Sequence, residues 1–282
     1  MGIDVHGFNL LRLAAARQAL GRTVMIGRQG VDTPADVIRA AFPNEDPARF
    51  SGYAEPMLQT LFGATDVHSY DNSAYEGASH IADFNKPLAD PDTYDTVIDF
   101  GTLEHVFDVR QAFANCAALC ASDGCILHLL PANNQCGHGF WQFSPEVFFS
   151  LYSEANGCTD TRVFMADLSD EAVWWEVTCP TDGARVNITS SGPLYVLAMT
   201  RKTGDLRLED VQQSDYAHVW NAEDGAQAAT QSTPHSIKVR RPVPAPIRAA
   251  RTWMKRLKPK NRMTTAHPFL TRRDVERLIR SA

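Results

Sequence analysis

An α/β architecture, a doubly wound, mostly parallel sheet with helices on both faces, is what this sequence predicts, and two observations predict it. The stretch Tyr94 to Pro131 reads as strand, helix, strand. It has β-branched Thr96-Val97-Ile98, apolar residues at helical spacing (Val106, Val109, Phe113, Ala117, Cys120), a glycine break at Asp123-Gly124, and the apolar run Cys125 to Leu130. A crossover of this kind joins parallel strands that are buried on both faces. Polar and glycine residues also collect where the strands end, as at Asp99-Phe100-Gly101 and from Pro131 to Asn134. In open α/β sheets those carboxyl ends bind ligands.

The remaining elements follow in order. Phe8 to Leu20 reads as a leading helix with a broad apolar face, stopped by Gly21. Thr23 to Ile26 is the first strand, followed at once by Gly27-Arg28-Gln29-Gly30. Thr33-Pro34 starts a helix, residues 43–56 form an irregular insertion, and Met57 to Phe62 is a short helix. Asp66 to Tyr70 and His80 to Asp83 are the second and third strands, with one or two helical turns expected from Ser73 to Ala78. Ser144-Pro145-Glu146 opens a helix, and Cys158 to Phe164 and Pro193 to Met199 are strands. Val173 to Thr178 and Arg185 to Thr189 suit an extra hairpin. Short helices are expected at Ile247 to Leu257 and, capped by Thr271, at Arg272 to Arg280.

A chain of 282 residues with 44% hydrophobic content accommodates one large domain with appendages. We divide it into a domain over 1–203 (with its leading helix in 1–21), an irregular linker over 204–237, and a basic extension over 238–282. The net charge of −6 conceals an asymmetry: residues 238–282 carry 14 Lys and Arg against 2 Asp and Glu, and the rest of the chain is correspondingly acidic. The extension is expected to contribute little to the core. No apolar run approaches the ~20 residues that cross a bilayer, and Met1 to Leu20 lacks the uninterrupted apolar core of a secretory signal. A cytoplasmic location is therefore expected, with the six cysteines reduced and packed; their spacing does not suit zinc.

The run Val97-Ile98-Asp99-Phe100-Gly101-Thr102-Leu103-Glu104-His105-Val106, then a helix, then Ser122-Asp123-Gly124-Cys125-Ile126-Leu127, resembles the class I S-adenosylmethionine-dependent methyltransferases. It is similar to their fourth strand, the crossover that follows and their fifth strand. The resemblance spans about residues 20 to 200 of the chain. It implies a Rossmann-like sheet of seven strands, closed by an antiparallel pair, and S-adenosyl-L-methionine as cofactor. It implies that Gly27, Gln29 and Gly30 approach the cofactor's methionine part, although only two of the family's usual three glycines are present. The same residues read equally as a plain turn.

By the same resemblance Asp71 accepts from the ribose hydroxyls, Asp83 and Phe84 meet the adenine, and Asp99, Phe100 and Gly101 line the amino-acid end. Local readings stand beside these: Asp71 as a helix cap and Asp83 as a turn residue. Glu104 suits a helix N-terminus and His105 a general base or a structural histidine. After the fifth strand, His138 is the leading candidate base, with Phe140 and Trp141 suited to an apolar or sugar face and Asn133, Asn134 and Gln142 to hydroxyls. The alternative for this loop is a structural lid over the sheet end.

The leading functional expectation is a methyltransferase acting on a small or sugar-like acceptor. A catalytically silent binding or assembly protein on the same fold is the second, motivated by the divergent first loop. A nucleic-acid methyltransferase is the third, motivated by the basic extension and opposed by the acidic body and by the lack of an Asn/Asp-Pro-Pro-Tyr/Phe motif. A homo-oligomer is compatible with all three.

Overall fold

A computed structural model describes residues 2–180, 183–208, 211–226 and 269–282. Residues 209–210 and 227–237 of the expected linker and the basic helix expected at 247–257 lie outside the described residues. In chain order the strands are β1 (Gly2–Ile3), β2 (Gly21–Ile26), β3 (Gly30–Val31), β4 (Ala64–Asp71), β5 (His80–Ile81), β6 (Tyr94–Phe100), β7 (Cys120–Pro131), β8 (Cys158–Asp167), β9 (Val173–Val177), β10 (Leu194–Lys202) and β11 (Leu270–Asp274). The helices are α1 (Val5–Ala15), α2 (Ala35–Ala41), α3 (Glu55–Phe62), α4 (Val109–Leu119), α5 (Pro145–Leu151), α6 (Ser214–Ala226) and α7 (Val275–Arg280).

The main sheet has nine strands in the order β11-β9-β8-β10-β7-β6-β2-β4-β5. From β7 to β5 the pairs are parallel, and from β7 outward to β11 they are antiparallel. The expected closing pair is present as β8 and β10. The expectation of seven strands is corrected to nine, and the sheet is mixed. The chain winds from β2 outward to β5, then returns to β6 and winds the other way. The switch point therefore lies between β2 and β6, at Ile26 and Phe100.

Alternation along the strands sends each face to its own core. Val97 and Ile126 face α4 and α5, packing on Phe113, Cys116 and Phe148. Met25, Ile98 and Leu127 face α1, α3 and α7, packing on Phe8, Leu11, Leu58 and Leu278. Asp4 caps α1 by accepting from the Gly7 amide at 2.9 Å.

Several boundaries differ for physical reasons. The leading helix ends at Ala15, and Gly21, at φ 60°, begins β2. The crossover helix starts only at Val109, capped by Asp108, after a 3-10 turn at Leu103–His105. Asp123 takes φ 65° inside β7, so Asp123-Gly124 becomes an irregularity of a long strand and does not end the helix. Ser73 to Ala78 forms turns, because Asp71 and Ser73 accept from amides two residues ahead.

The extra hairpin is also corrected: Arg185 to Thr189 is not a strand, and β9 pairs instead with β11 from the extension. Asp274, not Thr271, caps the last helix. Leu270, Val275, Leu278 and Ile279 are buried, so residues 270–280 belong to the core they were expected to avoid. Charge and shortness hid one buried residue, Leu270, and the apolar triplet Val275, Leu278 and Ile279, which pack only against partners far away in sequence.

Candidate functional site

The carboxyl ends at the switch point are joined. The Thr102 hydroxyl donates to the Ile26 carbonyl at 2.6 Å. Gly27, at φ 73°, leaves room for that hydroxyl, which would lie 2.5 Å from an added Cβ. Beyond it the chain turns back: Gly30 pairs with Gly2 in the small β1–β3 sheet. Gln29 is buried, its amide nitrogen near the Ile26 and Gly27 carbonyls and its Oε1 without a partner. Arg28 reaches outward, pairs with Glu55, stacks on Tyr53 and donates to the Glu76 carbonyl at 2.7 Å. It thereby ties the first loop to the turns that follow Asp71.

Asp71 sits at the end of β4, half-buried, accepting from the Ser73 amide at 3.3 Å. Asp83 accepts from the backbone and side-chain amides of Asn85 and pairs with Lys86; these bonds hold its carboxyl down at about 2. Phe84 is buried in the core beneath β4 and β5, packed edge-on to Tyr70. Both Asp99 oxygens are engaged inside the protein. Oδ1 accepts from the Thr102 amide, and Oδ2 meets His128 Nδ1 at 2.7 Å, whose Nε2 meets the Tyr152 hydroxyl at 2.7 Å. His128 and Tyr152 escaped the sequence reading; a histidine inside the apolar run Cys125 to Leu130 was the available signal.

Beside the switch point lies a cavity of about 180 Å³. Its wall combines Phe100, Gly101 and Glu104 with Asp4, Asp32, His138 and Tyr195. Gly101 has φ 89°, which a glycine adopts freely as the chain leaves β6. Glu104 is 0% exposed, and neither of its carboxylate oxygens has a hydrogen-bond partner. Burial, followed by the charge of Asp99, pushes its carboxyl up to about 8. Burial, then the nearby His138, lowers His105 from its ordinary range. His138 Nε2 stands 3.4 Å and His105 Nε2 3.7 Å from Glu104 Oε1.

The loop after β7 is pinned over this turn. The Phe140 amide donates to the Glu104 carbonyl at 2.7 Å, and the Trp141 indole donates to the Val106 carbonyl at 2.9 Å. Gly139, at φ 96°, lies so close to Glu104 that an added Cβ would meet its carbonyl at 2.7 Å. Phe140 and Trp141 therefore gather with Phe107 into an exposed aromatic rim. Asn133 and Asn134 are turned elsewhere: their side-chain amides donate to the carbonyls of Ile188 and of Ser190 and Gly192. Gln142 is exposed and meets Cys136. The sequence thus pointed to Glu104, His105 and His138, which come together, and missed Asp4, Asp32 and Tyr195, which sit far away in sequence.

No family model and no curated protein matches the chain. Among solved structures it is similar to the N-methyltransferase NodS from Bradyrhizobium japonicum WM9 in complex with S-adenosyl-L-homocysteine, at 13% identity and a TM-score of 0.38, covering 70% of this chain and 85% of that one. It is similar to a possible histamine N-methyltransferase from Thermotoga maritima, described as S-adenosylmethionine-dependent, at 15% identity and a TM-score of 0.37, covering 70% and 91%. A third is the Burkholderia thailandensis 1,6-didemethyltoxoflavin-N1-methyltransferase, at 15% identity and a TM-score of 0.39, covering 71% and 79%.

Proposed function

We propose that the chain is an S-adenosylmethionine-dependent methyltransferase acting on a small-molecule acceptor. The observation that carries this reading is the cavity beside the switch point, with a buried, unpartnered Glu104 and a histidine at its edge. The cofactor fits the donor set in kind. Its ammonium and sulfonium are cationic, and the cavity offers Asp4 and Asp32. Its ribose needs an acceptor at a strand end, and Asp71 holds only one long bond there. Asp83 bonds to Asn85 and Lys86 and Phe84 packs in the core, so we assign adenine recognition to neither.

When bound, the cofactor supplies an activated methyl group, and transfer asks mainly for alignment and removal of a proton. Phe100 and Gly101 shape the floor, and Glu104, His105 and His138 stand where the acceptor's proton leaves. The rim of Phe107, Phe140 and Trp141 offers apolar faces to an acceptor. At about 180 Å³ the cavity is below the roughly 300 Å³ at which ligand pockets usually begin, so in this reading it takes only the reacting ends of cofactor and acceptor.

Isothermal titration with S-adenosylmethionine and S-adenosylhomocysteine tests binding, and a methyl-release assay over amine and hydroxyl acceptors tests turnover. Binding without release would support the silent relative; no binding to either compound would end the proposal.

A further inference from the structure

We propose that Glu104, His105 and His138 form a binding site for one first-row divalent transition cation. The three side chains come from two loops, one after β6 and one after β7, and their candidate donor atoms all lie within 4.8 Å of one another. Around a cation with bonds of ~2.0–2.1 Å, neighbouring ligand atoms lie roughly 3.0–3.4 Å apart. The separations of 3.4 and 3.7 Å from Glu104 Oε1 to the two imidazoles therefore close with small side-chain rotations.

A second observation is independent of that clustering. Glu104 is 0% exposed, and both its oxygens lack any hydrogen-bond donor. A buried carboxylate without a partner is costly, and such groups are normally paired or bound to metal. Among the described residues no lysine or arginine lines the cavity. The histidines supply nitrogen donors but are half-exposed, with side-chain accessibilities of 51% and 42%, so neither is a buried counter-charge.

The donor chemistry selects the cation. Two imidazoles and one carboxylate suit Fe²⁺ to Zn²⁺, whereas Mg²⁺ and Ca²⁺ prefer oxygen donors. Three protein ligands leave positions open. Glu104 and His138 both line the cavity that Gly101, Asp4 and Tyr195 also line. Combined with the proposed methyltransferase reading, on which this step alone rests, the cation would hold an acceptor through a hydroxyl or carboxylate oxygen beside the methylated atom. Where that oxygen is a hydroxyl, the cation would also ease loss of its proton.

The experiment is equilibrium dialysis of the untagged full chain, stripped with chelator, against ZnCl₂ and CoCl₂. One equivalent of Zn²⁺ or Co²⁺ is expected at micromolar free cation, with a visible Co²⁺ absorption band that Zn²⁺ abolishes. The double variant His105→Ala/His138→Ala, truncated at half-exposed positions and checked for native circular dichroism, is expected to weaken binding by on the order of 100-fold or more, and Glu104→Gln by at least about 10-fold. Less than one equivalent in the wild type, undiminished binding in the double variant, or equal retention of Mg²⁺ would each overturn the proposal. The dialysis contains no cofactor, so its failure is separable from failure of the methyltransferase reading, which the titration with S-adenosylmethionine decides.

Discussion

If the proposed reaction holds, His138→Ala is expected to slow turnover by on the order of 10²–10⁴-fold while leaving cofactor affinity near wild type, because its ring stands 3.4 Å from Glu104 Oε1 and away from Asp71. Full activity in a folded variant would remove it from the site. Asp71→Ala is expected to do the converse. It removes charge-assisted hydrogen bonds of roughly 1.5–3 kcal/mol each, visible as a lowered affinity in calorimetry with unchanged folding. His6 carries a prediction about acid stability. It is buried against Trp174, whose indole donates to it at 3.0 Å. Burial lowers its value in the fold, against the opposing charges of Asp4 and Glu171. The unfolded chain thus binds a proton that the folded chain refuses, and stability is lost as pH falls below the ordinary value of 6.5. His6→Gln should flatten that acid loss, measured as denaturation midpoints at about pH 7.5 and about pH 5.5; parallel slopes in the two proteins would refute the assignment. At this scale the sequence was readable where neighbours in the chain are neighbours in space. Glu104 and His105 were found as a pair, and His138 as the titratable member of a glycine-bearing loop. The buried pairing of the Asp99 side chain was not read, because its partner His128 lies 29 residues away.

Among the elements, the parallel half was legible because each βα unit buries its own apolar run beside the next. The antiparallel edge was not: β9 could be paired with anything carrying alternation, and its partner β11 shares no local signal with it. That edge is held by apolar contact more than by charge. Arg273 pairs with Glu176, and Arg12 with Glu276, all partly exposed positions. Such pairs are worth about 0–1 kcal/mol. Arg273→Ala is therefore expected to cost under about 1 kcal/mol, and Leu278→Ala roughly 2–3 kcal/mol, since it opens a gap against α1. Denaturant titrations of the two variants compare them directly. An Arg273→Ala cost exceeding that of Leu278→Ala would show that ion pairing secures the edge.

For the whole molecule, the charge asymmetry suggested a body and a separable basic extension, and the structure makes residues 270–280 the outermost layer of the body itself. Strand β11 pairs with β9, and Arg273 bonds a glutamate 97 positions earlier. During synthesis, then, the segment Val-Trp-Trp-Glu-Val of β9 emerges with one edge bare and waits while those intervening residues are made, several seconds at about 5–20 residues per second. An apolar strand with an open edge is a template for pairing with other chains. The ribosome-bound intermediate is therefore the aggregation-sensitive form of this protein, and its yield should depend on how fast the downstream stretch is translated.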